Sequence, residues 1–437
     1  MDINIKDLLK NYNSNDYARL INNAIKNVSD SGGGKVIIPE GEYLATTIYL
    51  LDNVTLYLEE GACLKLYPDL KAFINHNDSR DDSIKRPTWE NCDYNGLPSK
   101  FFIYAKDTMN ISIAGKGKID GNEEIFLGNV TKWHIEGSFY PRIPLIFFEN
   151  CKNVLLESIT LTRSAFWTVH LVGCRKVLVD NVTILNNLKL TNCDGIDPDR
   201  SKDVVIRNTK ITCADDCVVL KATSATEKYG ACEHIHVSNC TFISTSAAIK
   251  IGTETCGDFN DILFENINII DSNRGISLML RDKGQIRNAT FRNINMNLRL
   301  FSKVHWWGSD EGIAITAIPR KDEIGSISNI SFENININSE NGILIYGTNQ
   351  NIRNIKIQHV SLTMNKKTMY PHKYLDLRPS SLGENGIIDQ SFYALTINNA
   401  YSVELDDVEF INNTDYISQL VNIQESKYIH FKDVQNL

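Results

Sequence analysis

The 437-residue sequence predicts an all-β fold: a single right-handed parallel β-helix with a capping helix at its N-terminus. Two observations lead to this prediction. A short phrase of alternating apolar residues, bounded by asparagine or aspartate, returns along the chain at a nearly constant interval. Ahead of these copies, one amphipathic stretch has the 3.6-residue period of a helix. We therefore expect an N-terminal segment with the capping helix over residues 1–34 and a catalytic β-helix over residues 35–437.

The capping helix is predicted over Asp16–Ser31 by its apolar spacing. The residues that would share one helix face are Tyr17, Leu20, Ile21, Ala24, Ile25 and Val28. Three glycines at positions 32–34 end the pattern, and a strand is expected to begin at Val36. Because a solenoid exposes core and strand edges at its ends, a helix with one apolar face would cover that end.

The repeated phrase predicts the coils of the β-helix. Its first five copies are KNVLLESITL from Lys152, RKVLVDNVTI from Arg175, KDVVIRNTKI from Lys202, EHIHVSNCTF from Glu233 and NDILFENINI from Asn260. The intervals between their starts are 23, 27, 31 and 27 residues. Short strands at such a period indicate a solenoid, in which stacking makes the core continuous. Valine and isoleucine suit the strands, and asparagine suits left-handed bends between them. The alternative, a leucine-rich repeat, would need leucines at fixed offsets and a helical side, and the sequence has neither.

Composition narrows the possible partners. The net charge of −8 argues against nucleic acid, which requires a basic face. No apolar stretch is long enough to span a membrane, and no basic and apolar leader follows Met1. We therefore expect a cytoplasmic protein that binds neither nucleic acid nor membrane. The sequence does not set an oligomeric state.

Two acidic motifs interrupt the repeats. They are NCDGIDPD, residues 192–199, and ADDCVVLK, residues 214–221. Asp194 and Asp215 are 21 residues apart, close to one coil, and neighbouring coils lie roughly 4.8 Å apart. Asp194 should therefore stack near Asp215 and Asp216. Repulsion among grouped carboxylates raises the proton affinity of one of them, which supplies an acid beside ionised neighbours.

With these motifs the sequence resembles glycoside hydrolase family 28, the polygalacturonase-like pectin hydrolases. The segments IAGKGKIDG, residues 113–121, and SAFWTVH, residues 164–170, also resemble the middle coils of that family. The resemblance covers most of the chain. It implies a pectin-lyase-like solenoid and an inverting glycoside hydrolase that acts on an oligosaccharide without a metal or other cofactor.

The resemblance also implies the roles of individual residues. Asp215 would be the general acid, and Asp194 with Asp216 would position and deprotonate water. Asn192 and Asp197 would support this network. The nearby aspartates Asp199 and Asp203 are interpreted as turn residues.

The sequence departs from the family at its substrate-binding motifs. In TSAAIKIGTET, residues 245–255, Ala247 stands at the position of the family's histidine and Lys250 at that of its serine. Ser277 and Met279 occupy the positions of an Arg-x-Lys motif that grips a galacturonate carboxylate. Plain homogalacturonan is therefore not the expected substrate.

Other residues are candidates for substrate binding. Lys250, Arg274 or Arg281, and also Arg320, could bind a carboxylate from another direction. Trp307, and its neighbour Trp306, could stack on a sugar face. The insertions Asn75–Ser99 and Asn122–Arg142 are expected to wall the groove and to make the enzyme exo-acting.

Three alternatives remain open at this stage. The oxygen-rich cluster could bind calcium in a β-helix lyase or epimerase. The chain could instead bind carbohydrate without catalysis. A zinc site could be built from Cys213, Cys217, Cys232, His234 and His236, although no paired C-x₂-C signature is present. Against zinc, Cys151 with Cys174, and Cys217 with Cys240, are each 23 residues apart, which predicts cysteines stacked in the core.

Overall fold

The computed structural model describes residues 1–76, 98–302, 307–321, 323–380, 382 and 386–436. The chain folds into two compact units, Met1–Ala214 and Asp215–Leu437. Each unit consists mainly of short parallel strands stacked coil upon coil. No helix among the described residues is long and apolar enough to cross a membrane.

The N-terminal helix, Ala18–Asp30, agrees with the predicted span to within two residues. Its buried residues include Leu20, Ile21, Ile25 and Val28, which belong to the predicted apolar face. The helix contacts the strands over residues 34–38, 48–49 and 54–58. The parallel sheet begins before the expected Lys35, because Asp2–Asn4 forms a strand in which Asp2 pairs with Lys35.

In the first unit, parallel strands stack in three lines along the coils. One line consists of Ile48–Tyr49, Ile103–Lys106, Ile146–Glu149, Val169–Val172 and Ile196–Asp199. A second consists of Asp2–Asn4, Gly34–Ile38, Val54–Leu58, Met109–Gly115, Lys152–Glu157, Arg175–Asp180 and Lys202–Arg207. The third consists of Gly41–Ala45, Ala62–Leu66, Lys118–Asp120, Thr160–Thr162, Thr183–Leu185 and Lys210–Cys213. An antiparallel hairpin, Leu127–Val130 with Ile135–Ser138, lies outside these lines.

In the second unit, several strands are longer because they continue through a bend into the next line. The parallel strands are Val218–Ala222, Cys232–Ser238, Thr241–Thr255, Phe259–Leu280, Gln285–Leu298, Ile313–Ala317, Ser326–Ser339, Ile343–Tyr346, Ile352–Met364, Leu395–Asn398, Ala400–Asn412, Val421–Gln424 and Lys427–Gln435. A short antiparallel pair joins Tyr374–Asp376 to Ile387–Asp389. Single-turn 3₁₀ helices occur in both units at Ile5–Asp7, Leu9–Asn11, Leu70–Ala72, Glu123–Phe126 and Ser224–Tyr229.

Register along a line places like residues above one another. Val154 pairs with Ile111 on one side and with Val177 on the other, and all three are buried. Burying each such side chain stabilises the fold by roughly 1.5–3 kcal/mol. Each coil therefore completes the core of its neighbours.

Asparagine occupies the bends, as predicted. Asn53, Asn110 and Asn153 all have φ between 56° and 61°. Their side chains form a ladder, since Asn153 donates to Asn110 at 2.8 Å and Asn110 donates to Asn53 at 2.7 Å. A short amide side chain tolerates this left-handed conformation better than other non-glycine residues do.

One of the two predicted cysteine stacks is present. Cys151 and Cys174 are buried on adjacent coils, because Lys152 pairs with Arg175. The prediction that Cys217 stacks on Cys240 is wrong. Cys217 N–H donates to the carbonyl of Ala247, and the next residue, Val218, pairs with Ile249. That coil is 31 residues long because it contains the 3₁₀ helix Ser224–Tyr229, so a spacing of 23 falls short of one coil.

Candidate active site

The first acidic motif lies in the first unit, in the turn before strand Ile196–Asp199. Asp194 and Asp197 are 2% and 0% exposed, and Asn192 is 6% exposed with φ 58°. The Asp194 carbonyl accepts a hydrogen bond from Thr168 N–H at 2.9 Å. The backbone of Asp194 is thus fixed by the preceding coil.

Asn186 fixes the same turn from behind. Its amide donates to Thr168 Oγ1 at 2.7 Å and to the Cys193 carbonyl at 3.0 Å. Its Oδ1 accepts from Ser164 N–H at 3.0 Å. A fully bonded buried amide is costly to displace, so it rigidifies the turn that presents Asp194.

Arg142 is a site residue that the sequence reasoning missed. Its side chain is fully buried, and Nη2 donates to Asn192 Oδ1 at 2.9 Å. Nη1 donates to the Thr191 carbonyl at 2.8 Å, and the guanidinium lies 4.8 Å from the Phe166 ring centroid. Asn192 is therefore held by a cation from an insertion fifty residues earlier in the chain. The only signal in the sequence is that Arg142 ends this insertion.

The insertion over residues 122–142 packs against the segment that leads to the acidic motif. Ile135 N–H donates to the Lys189 carbonyl at 3.0 Å, and Lys189 Nζ donates to the Thr131 carbonyl at 3.0 Å. Asn187 donates to Glu123 Oε1 at 3.1 Å, and burial raises the pKa of Glu123 to about 7. The insertion thus borders the acidic motif, in agreement with the expected wall. The other insertion lies largely outside the described residues, because 77–97 are not among them.

A histidine and an aspartate lie below the first motif. His170 Nε2 is 3.2 Å from Asp199 Oδ2, and both side chains are fully buried. In the paired strands His170 stands opposite Asp197. Asp199 is therefore a buried partner of histidine, which corrects its interpretation as a solvated turn residue. Asp203, exposed at φ 55°, agrees with that interpretation.

The second acidic motif opens the second unit. Asp216 is 1% exposed, and three donors surround its carboxylate. Ser246 Oγ and Ala247 N–H donate to Oδ1 at 3.0 and 3.2 Å, and Lys250 Nζ donates to Oδ2 at 2.7 Å. Hydrogen bonds and a cation both favour the ionised form of a carboxylate. Asp216 is therefore built to carry a negative charge.

Asp215 lies directly beside this carboxylate. Its side chain is 6% exposed, and its backbone carbonyl accepts from Ser244 Oγ at 2.6 Å. An oxygen of its carboxylate comes within 4.8 Å of one on Asp216. Two like charges at this distance repel, so a proton on Asp215 is favoured once Asp216 is ionised.

Lys250 adds positive charge to this pair. Burial alone would lower the pKa of its ammonium, but the carboxylates of Asp216 and Asp215 outweigh burial and raise it. The ammonium supplies at Asp216 Oδ2 the positive charge that a bound cation would otherwise supply. Another lysine nearby, Lys221, pairs with Glu254 at 3.3 Å.

The positions that differ from the family motifs carry no cation. Lys250 stands opposite Ser277 in the next coil, and Gly252 stands opposite Met279. Ser277, Met279 and Ala247 are all buried, at 0%, 4% and 2% exposed. No charge for a sugar carboxylate comes from these three side chains.

Arg274 and Arg281 are buried, contrary to a direct role in substrate binding. Arg274 is 3% exposed and forms a two-pronged pair with Glu311, at 2.8 and 3.0 Å. Arg281 is fully buried and donates to the carbonyls of Leu280 and Leu377 at 2.8 and 3.1 Å. Because their hydrogen-bonding groups point into the protein, these arginines hold the surrounding segments in place instead of meeting a ligand.

Trp307 lies at the edge of the same region. Its ring is partly buried, and the guanidinium of Arg378 lies 4.5 Å from the ring centroid. Arg378 also forms a two-pronged ion pair with Asp376, at 2.9 and 2.7 Å. A stacked and paired arginine fixes the tryptophan ring. Trp306 is outside the described residues.

Comparisons with known proteins agree with this arrangement. Residues 89–298 match the model of the glycosyl hydrolases family 28. A probable polygalacturonase from Vitis vinifera is 28% identical over 260 residues, which cover 56% of this chain and 50% of the relative. This chain therefore spans about half the length of that relative. An endo-polygalacturonase from Pectobacterium carotovorum subsp. carotovorum is 24% identical over 347 residues, covering 74% of this chain and 79% of the relative.

A solved structure shows the same fold. The family 28 exopolygalacturonase of Yersinia enterocolitica superposes with a TM-score of 0.74 at 19% identity. The match covers 100% of this chain and 79% of the other. The predicted fold, a right-handed parallel β-helix, is confirmed. The sequence match and the fold together identify this chain as a member of glycosyl hydrolase family 28.

Proposed function

We propose that this protein is an inverting, exo-acting glycoside hydrolase that cleaves short pectin-derived or related oligosaccharides. The observation that carries the proposal is the contrast between two neighbouring carboxyl groups. Asp216 is held by Ser246, Ala247 and Lys250 in a setting that favours its charge. Asp215, beside it, is pushed toward its protonated form. One ionised and one protonated carboxyl group are what glycoside hydrolysis requires.

In the proposed mechanism Asp215 donates its proton to the leaving glycosidic oxygen. Asp216, with Asp194, orients a water molecule and takes its proton as the water oxygen bonds to the anomeric carbon. Asn192, fixed by Arg142, and Asp197 support Asp194. Each carboxyl group then returns to its starting state by exchange with solvent.

The proposed specificity follows from the missing cations. A galacturonate at the leaving side would lose the charge partners that Arg-x-Lys provides, because Ser277 and Met279 offer none. Arg274 and Arg281 do not replace them, since both are buried. A neutral residue or a rhamnose at the leaving side is therefore the preferred substrate in this proposal.

The proposed exo action rests on the insertion over residues 122–142. The hairpin within this insertion borders the segment that leads to Asp194. A wall beside the catalytic carboxylates would stop a long chain from passing through and would favour cleavage at an end. Time courses on labelled oligosaccharides test this point, because an exo enzyme releases the smallest product from the start.

The deciding experiment is a screen of defined oligosaccharides with product analysis by NMR. The closest oxygens of Asp215 and Asp216 lie within 4.8 Å, whereas inverting enzymes usually separate their carboxyl groups by roughly 6.5–9.5 Å. The anomeric configuration of the first product therefore decides the stereochemistry. An inverted anomer supports the proposal. A product that absorbs ultraviolet light, formed only with added calcium, would indicate a lyase instead.

A further inference from the structure

Lys250 reaches the catalytic pair from the adjacent coil. It lies on the strand Thr241–Thr255, and in the sheet it stands opposite Val219, three residues after Asp216. Its side chain is 14% exposed, and Nζ lies 2.7 Å from Asp216 Oδ2. A lysine side chain has many rotamers, so a short contact at low exposure marks a defined position for the ammonium.

The same strand supplies all three donors to Asp216. Ser246 and Ala247 N–H bond to Oδ1, while Lys250 bonds to Oδ2. Both oxygens of the carboxylate are therefore engaged, and its plane is fixed. Ser246 is in turn oriented, because its N–H donates to Ser244 Oγ at 2.8 Å.

The other charges near this pair do not replace Lys250. Lys221 is paired with Glu254 at 3.3 Å, and Arg274 is paired with Glu311 at 2.8 Å. Arg274 acts on Asp216 only through space. Asp215 is the like charge next to Asp216. The ammonium of Lys250 is thus the cation in direct contact with the Asp216 carboxylate.

We infer that Lys250 is a positioning residue that keeps Asp216 ionised and correctly oriented as the base of the proposed hydrolysis, instead of a ligand for the substrate's carboxylate. The inference rests on the proposed function. Lys250 keeps its own proton throughout. The proton that Asp216 accepts comes from the attacking water, and the proton that Asp215 donates goes to the leaving oxygen.

The inference predicts a change in the pH profile. An opposite charge in contact lowers a carboxyl pKa by about 1–3 units. Removing the ammonium should therefore raise the pKa of Asp216 and move the acidic limb of kcat/KM upward by about one pH unit or more. The alkaline limb, which reports the protonated Asp215, should move in the same direction because Asp215 also loses a nearby cation.

The test compares Lys250→Met and Lys250→Arg with the wild-type enzyme on its best oligosaccharide substrate. Lys250→Met should shift the limbs and lower kcat, while Lys250→Arg should restore the limbs at least in part. Lys432→Met is the matched control, because Lys432 forms an exposed pair with Asp406 at 3.0 Å. It should leave the profile unchanged. If Lys250→Met raises KM for acidic substrates while both limbs stay in place, Lys250 binds the substrate and the inference is overturned.

A titration that does not use activity separates this inference from the proposed function. NMR of protein labelled with ¹³C at aspartate carboxyl carbons would follow Asp216, assigned by its loss in Asp216→Asn. A higher pKa of Asp216 in Lys250→Met supports the inference even if no substrate is found. An unchanged pKa overturns it even if the wild-type enzyme is an active hydrolase. Should the methionine variant fail to fold, Lys250→Gln gives the same comparison with a side chain that can still hydrogen-bond.

Discussion

Arg142 donates from Nη2 to Asn192 Oδ1 at 2.9 Å, and this contact joins an insertion to the first acidic motif. Nη1 of the same guanidinium bonds to the Thr191 carbonyl at 2.8 Å. Two parallel contacts from one rigid group fix both the backbone and the side chain of the turn two residues before Asp194. The insertion therefore sets the geometry of a predicted catalytic segment as well as bordering it.

Replacing Arg142 should impair turnover more than binding. Arg142→Lys keeps the charge but loses the fork that reaches Thr191 and Asn192 together. A small displacement of a catalytic group costs up to about 100-fold, so we expect kcat to fall about 10- to 100-fold. Steady-state kinetics measure the effect, and circular dichroism reports folding. Arg207→Lys, at an exposed pair with Asp180, is the control. Unchanged kcat in a folded Arg142→Lys protein would contradict the prediction.

Asp215→Asn should abolish most turnover and leave the fold intact. Without the proton donor the leaving oxygen departs unassisted, and general acid catalysis typically contributes 10²–10⁴-fold. The matched control is Asp203→Asn, at an exposed left-handed position that asparagine tolerates, and its activity should stay near that of the wild type. Activity of Asp215→Asn close to the wild-type value would assign the acid to another residue.

Trigalacturonate should be a poorer substrate than a neutral or rhamnose-containing oligosaccharide. A hydrogen bond to a charged group contributes about 1.5–3 kcal/mol, so two or three missing contacts would reduce kcat/KM by several orders of magnitude. Kinetics on matched trisaccharides measure the ratio. If trigalacturonate is the best substrate, and Arg320→Ala or Arg378→Ala removes that preference, a different carboxylate site exists and the specificity argument fails.

Arg274→Met should destabilise the protein more than Arg281→Met. The first change leaves Glu311, 1% exposed, without its cation, and an unpaired buried charge costs about 3–5 kcal/mol. The second removes hydrogen bonds to backbone carbonyls and Thr316 but breaks no ion pair, so about 1–3 kcal/mol is expected. Denaturant unfolding of both variants measures the difference. Equal losses would mean that the Arg274–Glu311 pair contributes nothing beyond its packing.

Glu123 should make the folded state less stable as pH rises. Burial raises its pKa from 4.5 to about 7, whereas the unfolded chain titrates near the ordinary value. The native state therefore holds a proton that the unfolded state has lost between about pH 4.5 and 7, and stability falls across this window. Glu123→Gln should unfold at higher denaturant concentration at pH 8, by up to about 3 kcal/mol, with no difference below about pH 4. Identical pH dependence of the two proteins would contradict this assignment.

The sequence by itself determined the coils and the capping helix. Both depend on local periodicity: alternating valine and isoleucine build strands that are buried on one side, and asparagine such as Asn110 accepts the left-handed bend. The face of the helix followed equally from the spacing of Leu20, Ile21 and Val28. Family resemblance singled out the two acidic motifs, since their residue types and order are themselves the signal.

Only the tertiary structure decided which side chains meet. Lys250 contacts Asp216, Arg142 contacts Asn192 and Arg274 contacts Glu311 across separations of 34, 50 and 37 residues. Such partners depend on the length of each coil and on the path of each insertion, and the coil length varies between 23 and 31 residues among the repeats. The same variation misplaced Cys217 relative to Cys240. It also hid the burial of Arg274 and Arg281, because local charge patterns do not reveal whether a cation points to solvent or into the protein.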